Sequence, residues 1–258
     1  MIVLLDTSEA LDVCAVELGC GVKQMITPLT GFCRQKEHDE FAVDNGAFAG
    51  FKRDKFLNLL AREKQAQYLC RFVAVPDVVG DARRTLELFD HWKYRLTGWP
   101  LAFVAQNGQE NLPIPWKHVE AVFIGGLDLK DGHGDWKLGR HARAVIRTAQ
   151  GMGKYVHVGR VNTPGRFRYF EDLEVDSIDG TGLSRYTHMR EEIWQAYNQP
   201  NLLSALAPNA DEYSLPEIST SSTVATASAS TAALGNGNGA SESSVPLAKP
   251  GDLGAYFH

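Results

Sequence analysis

The strongest constraint on the fold is a recurrence. Six short apolar runs each end in a polar or glycine-rich turn: FAVDNGAF (41–48), FVAVPDVVG (72–80), LAFVAQNG (101–108), AVFIGG (121–126), YVHVGRV (155–161) and the weaker VDSIDG (175–180). None alternates strictly between apolar and polar residues, the mark of strands buried on both faces. Helical periodicity fills the gaps. After Gly80 and Asp81, the residues Ala82, Leu86, Phe89, Trp92 and Leu96 recur at steps of three and four and make one apolar stripe. Asp54 is placed to cap a helix carrying Phe56, Leu57, Leu60 and Ala61. Trp136 to Met152 reads as a third helix, with Leu138, Ala142, Val145, Ile146 and Ala149 facing inward. The runs MIVLL and VCAVELG near the start are expected to supply one or two further strands.

Strand and helix repeating every ~20–30 residues imply parallel β/α units. No G-x-G-x-x-G follows the first strand, which removes the best support for an open dinucleotide-binding sheet. The expected fold is therefore α/β, a small TIM-like (β/α) barrel over residues 1–207. From residue 208 the composition changes. STSSTVATASASTAALGNGNGASESS has no apolar period and no large side chains, so 208–258 reads as a low-complexity, disordered C-terminal tail.

Composition narrows the function. The 258 residues are 44% hydrophobic and 22% charged, which excludes a wholly disordered chain. No apolar run approaches the roughly 20 residues of a membrane span, and no basic segment precedes MIVLL as a signal peptide requires. A cytoplasmic chain without a membrane partner is expected. Cys14, Cys20, Cys33 and Cys70 make no C-x-x-C pair, so neither a structural metal site nor a cofactor is expected. Net charge is -5, of which -4 lies from residue 211 onward (five acids, one lysine), leaving -1 for the first 210 residues. Bulk charge thus argues against nonspecific nucleic-acid binding, but a local basic face could still steer a phosphate backbone.

A parallel barrel brings every strand's C-terminal end to one face, where barrel active sites lie. Those ends carry Asp44 and Asn45, Asp77, Gln106, Gly125 and Gly126, Gly159 and Arg160, and Asp179. Each Asp alone could simply close a turn. Three carboxylates with an amide and a Gly-Gly at successive ends point instead to a polar pocket for a small polar ring. Asp176 and Asp179 lie three apart, on opposite faces of a strand, and Asp179 is the one nearer the glycine turn. His157 reads as a packed or hydrogen-bonded strand residue. Among Lys137, Arg140, Arg143, Arg147, Lys154, Arg160, Arg166 and Arg168, the helical trio 140, 143 and 147 reads as a solvated face. Arg160 and Arg166, just after a strand end, are the better nucleic-acid contacts.

In this order the segments resemble the tRNA-guanine transglycosylase superfamily, TIM barrels that exchange guanine for a 7-deazaguanine base. DNGAF (44–48) is similar to the family's Asp-Ser-Gly-Gly-Phe, with Asn45 in place of Ser. VAVPD supplies Asp77, AQNG resembles Gln-Gly-Gly at Gln106, and FIGGL matches Ile-Gly-Gly-Leu through Gly125, Gly126 and Leu127. VGRVNTPGR echoes Gly-x-Gly-Thr-Pro, and VDSID aligns with the Val-Asp-x-Phe-Asp that ends in the nucleophile. The resemblance spans about residues 40–185. It implies Asp179 as nucleophile, Asp44 as acid/base, and Asn45, Asp77, Gln106, Gly125, Gly126 and Leu127 as base-binding residues. The tRNA enzymes carry a C-x-C-x-x-C and His zinc site after the nucleophile; here no cysteine follows Cys70. With the shorter length, this points to the compact 7-deazapurine DNA transglycosylases of phages and bacteria. The implied partners are DNA, or alternatively tRNA, and a 7-deazaguanine base such as preQ0. A catalytically silent partner subunit, a different barrel hydrolase such as a glycosidase, and a non-enzymatic binding module remain the rival expectations.

Overall fold

A computed structural model describes residues 1–129 and 134–198. Among these residues ten strands form: β1 (Ile2–Leu5), β2 (Val22–Ile26), β3 (Phe41–Val43), β4 (Cys70–Ala74), β5 (Leu101–Ala105), β6 (Ala121–Ile124), β7 (Asp128–Leu129), β8 (Gly134–Asp135), β9 (Tyr155–Val158) and β10 (Ser177–Asp179). Eight close a parallel barrel in the order β1-β10-β9-β6-β5-β4-β3-β2, with β1 pairing β2 to seal it; β7 and β8 make a separate antiparallel pair. The expected small TIM-like barrel is the fold observed. The tail expected at 208–258 lies outside the described residues.

The helices are α1 (Leu11–Leu18), α2 (Arg53–Arg62), α3 (Ala82–Trp92), α4 (Arg140–Gly151), α5 (Pro164–Asp172), α6 (Thr181–Arg185) and α7 (Thr187–Asn198). After β2 and β5 the chain makes loops and 3₁₀ turns in place of a helix, which is how so short a chain completes eight strands. Two layers of core result. Val3, Leu5, Phe103, Val122, Ile146 and Phe170 belong to the outer layer between strands and helices. Leu4, Met25, Ala42, Phe72, Ala102 and Ala121 fill the barrel interior, with Ile2, Phe123 and Tyr155 packed on them. Small alanines opposite large rings let the interior close without voids.

Three local expectations are corrected. VCAVELG is part of helix α1, not a strand: Leu11, Cys14 and Leu18 are buried while Val13 and Val16 stand out, and Gly19 ends the helix at φ 66. A run of apolar residues hid that three-and-four spacing. The missing strand is β2, whose VKQMI looks polar because buried Gln24 is used as a fastener, donating to the Cys33 carbonyl and accepting from the Gln35 N–H. Asp54 does not cap α2; it is the second residue inside, and Lys52 holds the cap position. Finally, Trp136–Leu138 is a 3₁₀ turn ahead of α4. Its three-residue period shifts the phase, so Lys137 turns inward and Leu138 is 37% exposed. Asp81 caps α3 by accepting from the Arg84 N–H at 3.0 Å.

Candidate active site

Every barrel strand delivers a residue to one mouth, and a cavity of about 720 Å³ opens there. Its walls include Asp6 beyond β1, Asp44 and Asn45 beyond β3, Asp77 beyond β4, Gln106 beyond β5 and Asp179 at the end of β10. The three expected carboxylates therefore share one cavity.

Asp44 hangs from β3 through its N–H to the Ile26 carbonyl and accepts the Gly46 N–H at 3.1 Å, the turn closing because Gly46 takes φ 75. Burial, then the charges of Asp179 and Asp77, push its carboxyl up to about 7. A carboxyl in that range both gives and takes protons near neutrality. Asp77 is 5% exposed and held up to about 6, chiefly by burial. Its two oxygens accept from Asn45 Nδ2 at 2.8 Å and Gln106 Nε2 at 2.6 Å, which partly offset the burial.

Those partners are themselves fixed. Asn45 Nδ2 also donates to the Val75 carbonyl, and its Oδ1 accepts the Ala47 N–H. Gln106 Oε1 accepts the N–H groups of Gly80 and Gly126 at 2.9 and 2.7 Å. Asn45 and Gln106, expected to touch the base, thus chiefly orient Asp77. The Gly125–Leu127 turn is not a free source of backbone donors. Its N–H groups already serve the Ala105 carbonyl, Gln106 Oε1 and Asn107 Oδ1. What the turn supplies is space: a Cβ on Gly125 would lie 2.8 Å from Gln106 Nε2. Leu127 does not line the cavity; its side chain packs beside Gly80.

Asp179 is gripped at both oxygens. Oδ1 accepts the Arg160 N–H at 3.1 Å and Oδ2 bonds His157 Nε2 at 3.0 Å. Arg160 adopts φ 59, left-handed for a residue with a side chain, a strain of the sort that collects at functional sites. Its guanidinium lies 4.2 Å from the Phe48 ring centre and lines the cavity. Arg166 does not line it; it pairs with Asp135 at 2.8 Å and braces α5 to β8.

Three participants were not singled out as site residues. His157 is fully buried on β9 beneath Asp179, its Nδ1 2.8 Å from Ser177 Oγ. The signal was available: 157 and 159, and 177 and 179, are period-two pairs on neighbouring strands, so they share the inner face. Lys137, counted among the cations available for phosphate contact, is 1% exposed; Nζ donates to the Gly159 carbonyl at 2.8 Å, and burial pulls its ammonium down to about 8. Asp6 accepts from Thr30 and Thr27, and burial raises its carboxyl. Asp6 directly follows the apolar run MIVLL and so carried the same strand-end signal as Asp44 and Asp77, whereas no pattern in the sequence marks Lys137. Asp176 faces away, accepting the Val156 N–H.

Among the described residues, Glu9, Cys14 and Glu17 come close enough together to suggest a metal cluster. The buried Arg190 guanidinium binds both glutamates there and ties α7 to α1, so the group reads as an ion triad built on a buried arginine.

No protein-family model matches the sequence, and no curated protein does. Solved structures similar in shape include a flavocytochrome b2 variant with benzoylformate (TM-score 0.46, 12% identity) and an arginine-to-lysine variant of flavocytochrome b2 (TM-score 0.42, 11% identity). Each match covers 76% of this chain and 61% of the other, so the chain spans less than two thirds of the structures it resembles. Fold and site together define a parallel β/α barrel with Asp6, Asp44, Asp77 and Asp179 gathered at its C-terminal mouth. No helix among the described residues is long and apolar enough to cross a membrane.

Proposed function

We propose that the protein is an enzyme, a base-exchange transglycosylase that replaces guanine in DNA with a 7-deazaguanine derivative through a covalent glycosyl-enzyme. The observation that carries this reading is the division of labour among carboxylates in one cavity. Asp179 is held at both oxygens, by the Arg160 N–H and by His157 Nε2, while Asp44 is pushed up to about 7. One acid fixed for attack and one poised for proton transfer is the pairing that glycosyl transfer through a covalent intermediate needs.

In the first half-reaction a carboxylate oxygen of Asp179 attacks C1′. The C1′–N9 bond breaks with its electron pair going to guanine, and the proton held by Asp44 neutralises the leaving base. In the second, the incoming base gives its N9 proton to Asp44 and attacks C1′, returning Asp179 to the free carboxylate. Asp77 suits the donor edge of guanine, since each of its oxygens can accept a second hydrogen bond beyond those from Asn45 and Gln106. The target nucleotide must be flipped out or single-stranded to reach a cavity at the barrel mouth. Arg160, which lines the cavity with Lys137 and Arg185, is the cation proposed to meet its phosphate.

The test is incubation with labelled guanine and either guanine-containing DNA or tRNA at equal salt. Incorporation into DNA, with an Asp179 adduct in the mass spectrum of the quenched reaction, is the expected result. Incorporation into tRNA alone would reassign the substrate, release of free sugar would indicate a hydrolase, and neither would remove the catalytic reading.

A further inference from the structure

Donor and acceptor accounting beneath Asp179 leads to one more assignment. An ionised carboxylate only accepts, so His157 Nε2, 3.0 Å from Asp179 Oδ2, must carry a proton. The ring is fully buried, with its centre 4.5 Å from that of Phe123 and 5.1 Å from that of Phe72. Its other nitrogen meets Ser177 Oγ at 2.8 Å, also fully buried. One arrangement satisfies the ring: the Ser177 O–H donates to His157 Nδ1, and His157 Nε2–H donates to Asp179. Both bonds then point the same way, and the first polarises the second.

We propose that His157 is a positioning residue for Asp179, held in the Nε2–H tautomer by Ser177. The chain runs from Ser177 on β10 through His157 on β9 to Asp179 at the mouth. It fixes the carboxylate's orientation and satisfies one oxygen, leaving the attacking lone pair to the substrate. His157 itself does not line the cavity, so it acts through Asp179. Register explains why the contact is rigid: His157 pairs directly with Ser177 across β9 and β10, and Asp179 lies two residues further on the same face. The catalytic part of this assignment rests on the transglycosylase reading; the hydrogen-bonded chain does not.

The experiment therefore has two arms. Nitrogen-15 spectra of histidine-labelled protein, with the His157 resonance assigned by its loss in His157→Phe, report which ring nitrogen carries the proton. The Nε2–H tautomer is expected, and Ser177→Ala should disturb that resonance. A Nδ1–H or doubly protonated ring would overturn the assignment. In the kinetic arm, His157→Phe keeps a buried ring but removes the donor. It should lower kcat for guanine exchange about 10- to 100-fold, the range for losing a hydrogen bond to a charged group. Affinity for free guanine should stay within about twofold, since no cavity wall is lost. His157→Gln, which can place an amide N–H near the Nε2 position, should recover most of kcat. A folded His157→Phe with wild-type kcat, or a His157→Gln no better than Phe, would refute the positioning role. Wild-type protein that exchanges no base would defeat the transglycosylase reading, while the resonance arm still decides the hydrogen-bonded chain.

Discussion

Replacing Asp77 by Asn separates the two electrostatic effects that meet at this carboxylate. Burial raises its carboxyl from 3.8 to about 6. The folded protein therefore binds a proton more tightly than the unfolded chain does. That contribution to stability is complete below about pH 4 and is lost as pH rises through about 6. A shift of this size is worth about 3 kcal/mol in all, of which about half falls between pH 5 and 8. Asparagine cannot ionise, so the variant should escape the loss. A pH-independent penalty opposes the gain. The new Nδ2 must point at either Asn45 Nδ2 or Gln106 Nε2, and neither partner can flip. Gln106 Oε1 holds the Gly80 and Gly126 N–H groups, and Asn45 Oδ1 holds that of Ala47. A donor facing a donor costs about 1–3 kcal/mol. Urea unfolding of both proteins at pH 5 and pH 8 is the assay. The variant should be the less stable at pH 5 and should close on the wild type by about 1 kcal/mol or more at pH 8, since Asp44 also loses a neighbouring charge. An equal stability difference at the two pH values would refute the account of Asp77 as a buried, proton-binding carboxyl.

Asp179→Ala should abolish exchange and the covalent adduct with an unchanged circular dichroism spectrum; a folded variant with near-normal turnover removes Asp179 from the mechanism. Asp44 should set a limb near pH 7 in kcat/KM, activity falling above it as the leaving base loses its proton donor, and Asp44→Asn should erase that limb along with most of the rate. Gly159→Ala would set a Cβ 2.5 Å from one Phe123 ring carbon, and that ring is already packed on His157. Overpacking of this kind costs about 1–3 kcal/mol, read as a drop of roughly 2–12 °C in Tm at the scale of a 200-residue domain; an unchanged Tm would mean that the barrel interior yields. Arg160→Ala should flatten the salt dependence of DNA binding, whereas Arg166→Ala should chiefly lower stability by unpairing the buried Asp135, and a reversal of those two phenotypes would move the phosphate contact to α5.

How much of this was legible beforehand depends on the physics of each feature. Strands buried on both faces must be continuously apolar, and they end where the chain meets water. So Val43, Ala74, Ala105, Ile124, Val158 and Asp179 could be read as strand ends from composition alone, and with them the carboxylates at the mouth. Parallel order then required one shared face. Helix phase was less secure, because a window of apolar residues such as VCAVELG fits two periods, and only packing of Leu11, Cys14 and Leu18 on the barrel chose between them.

What each polar residue does was a tertiary matter. Asp77, Asn45 and Gln106 sit on three different segments, and the sequence contains no information on which donor meets which acceptor. Only barrel closure shows that Asn45 and Gln106 hold Asp77 in place. Lys137 looked like any surface cation until a 3₁₀ turn rotated it inward onto the Gly159 carbonyl. The shifts of Asp44 and Asp77 likewise come from burial and mutual charge across the cavity. The sequence by itself determined which chemistry could gather at the barrel mouth, because strand ends are written in local composition. The tertiary structure alone decided how that chemistry is partnered, because hydrogen bonds and desolvation depend on distances between residues far apart in the chain.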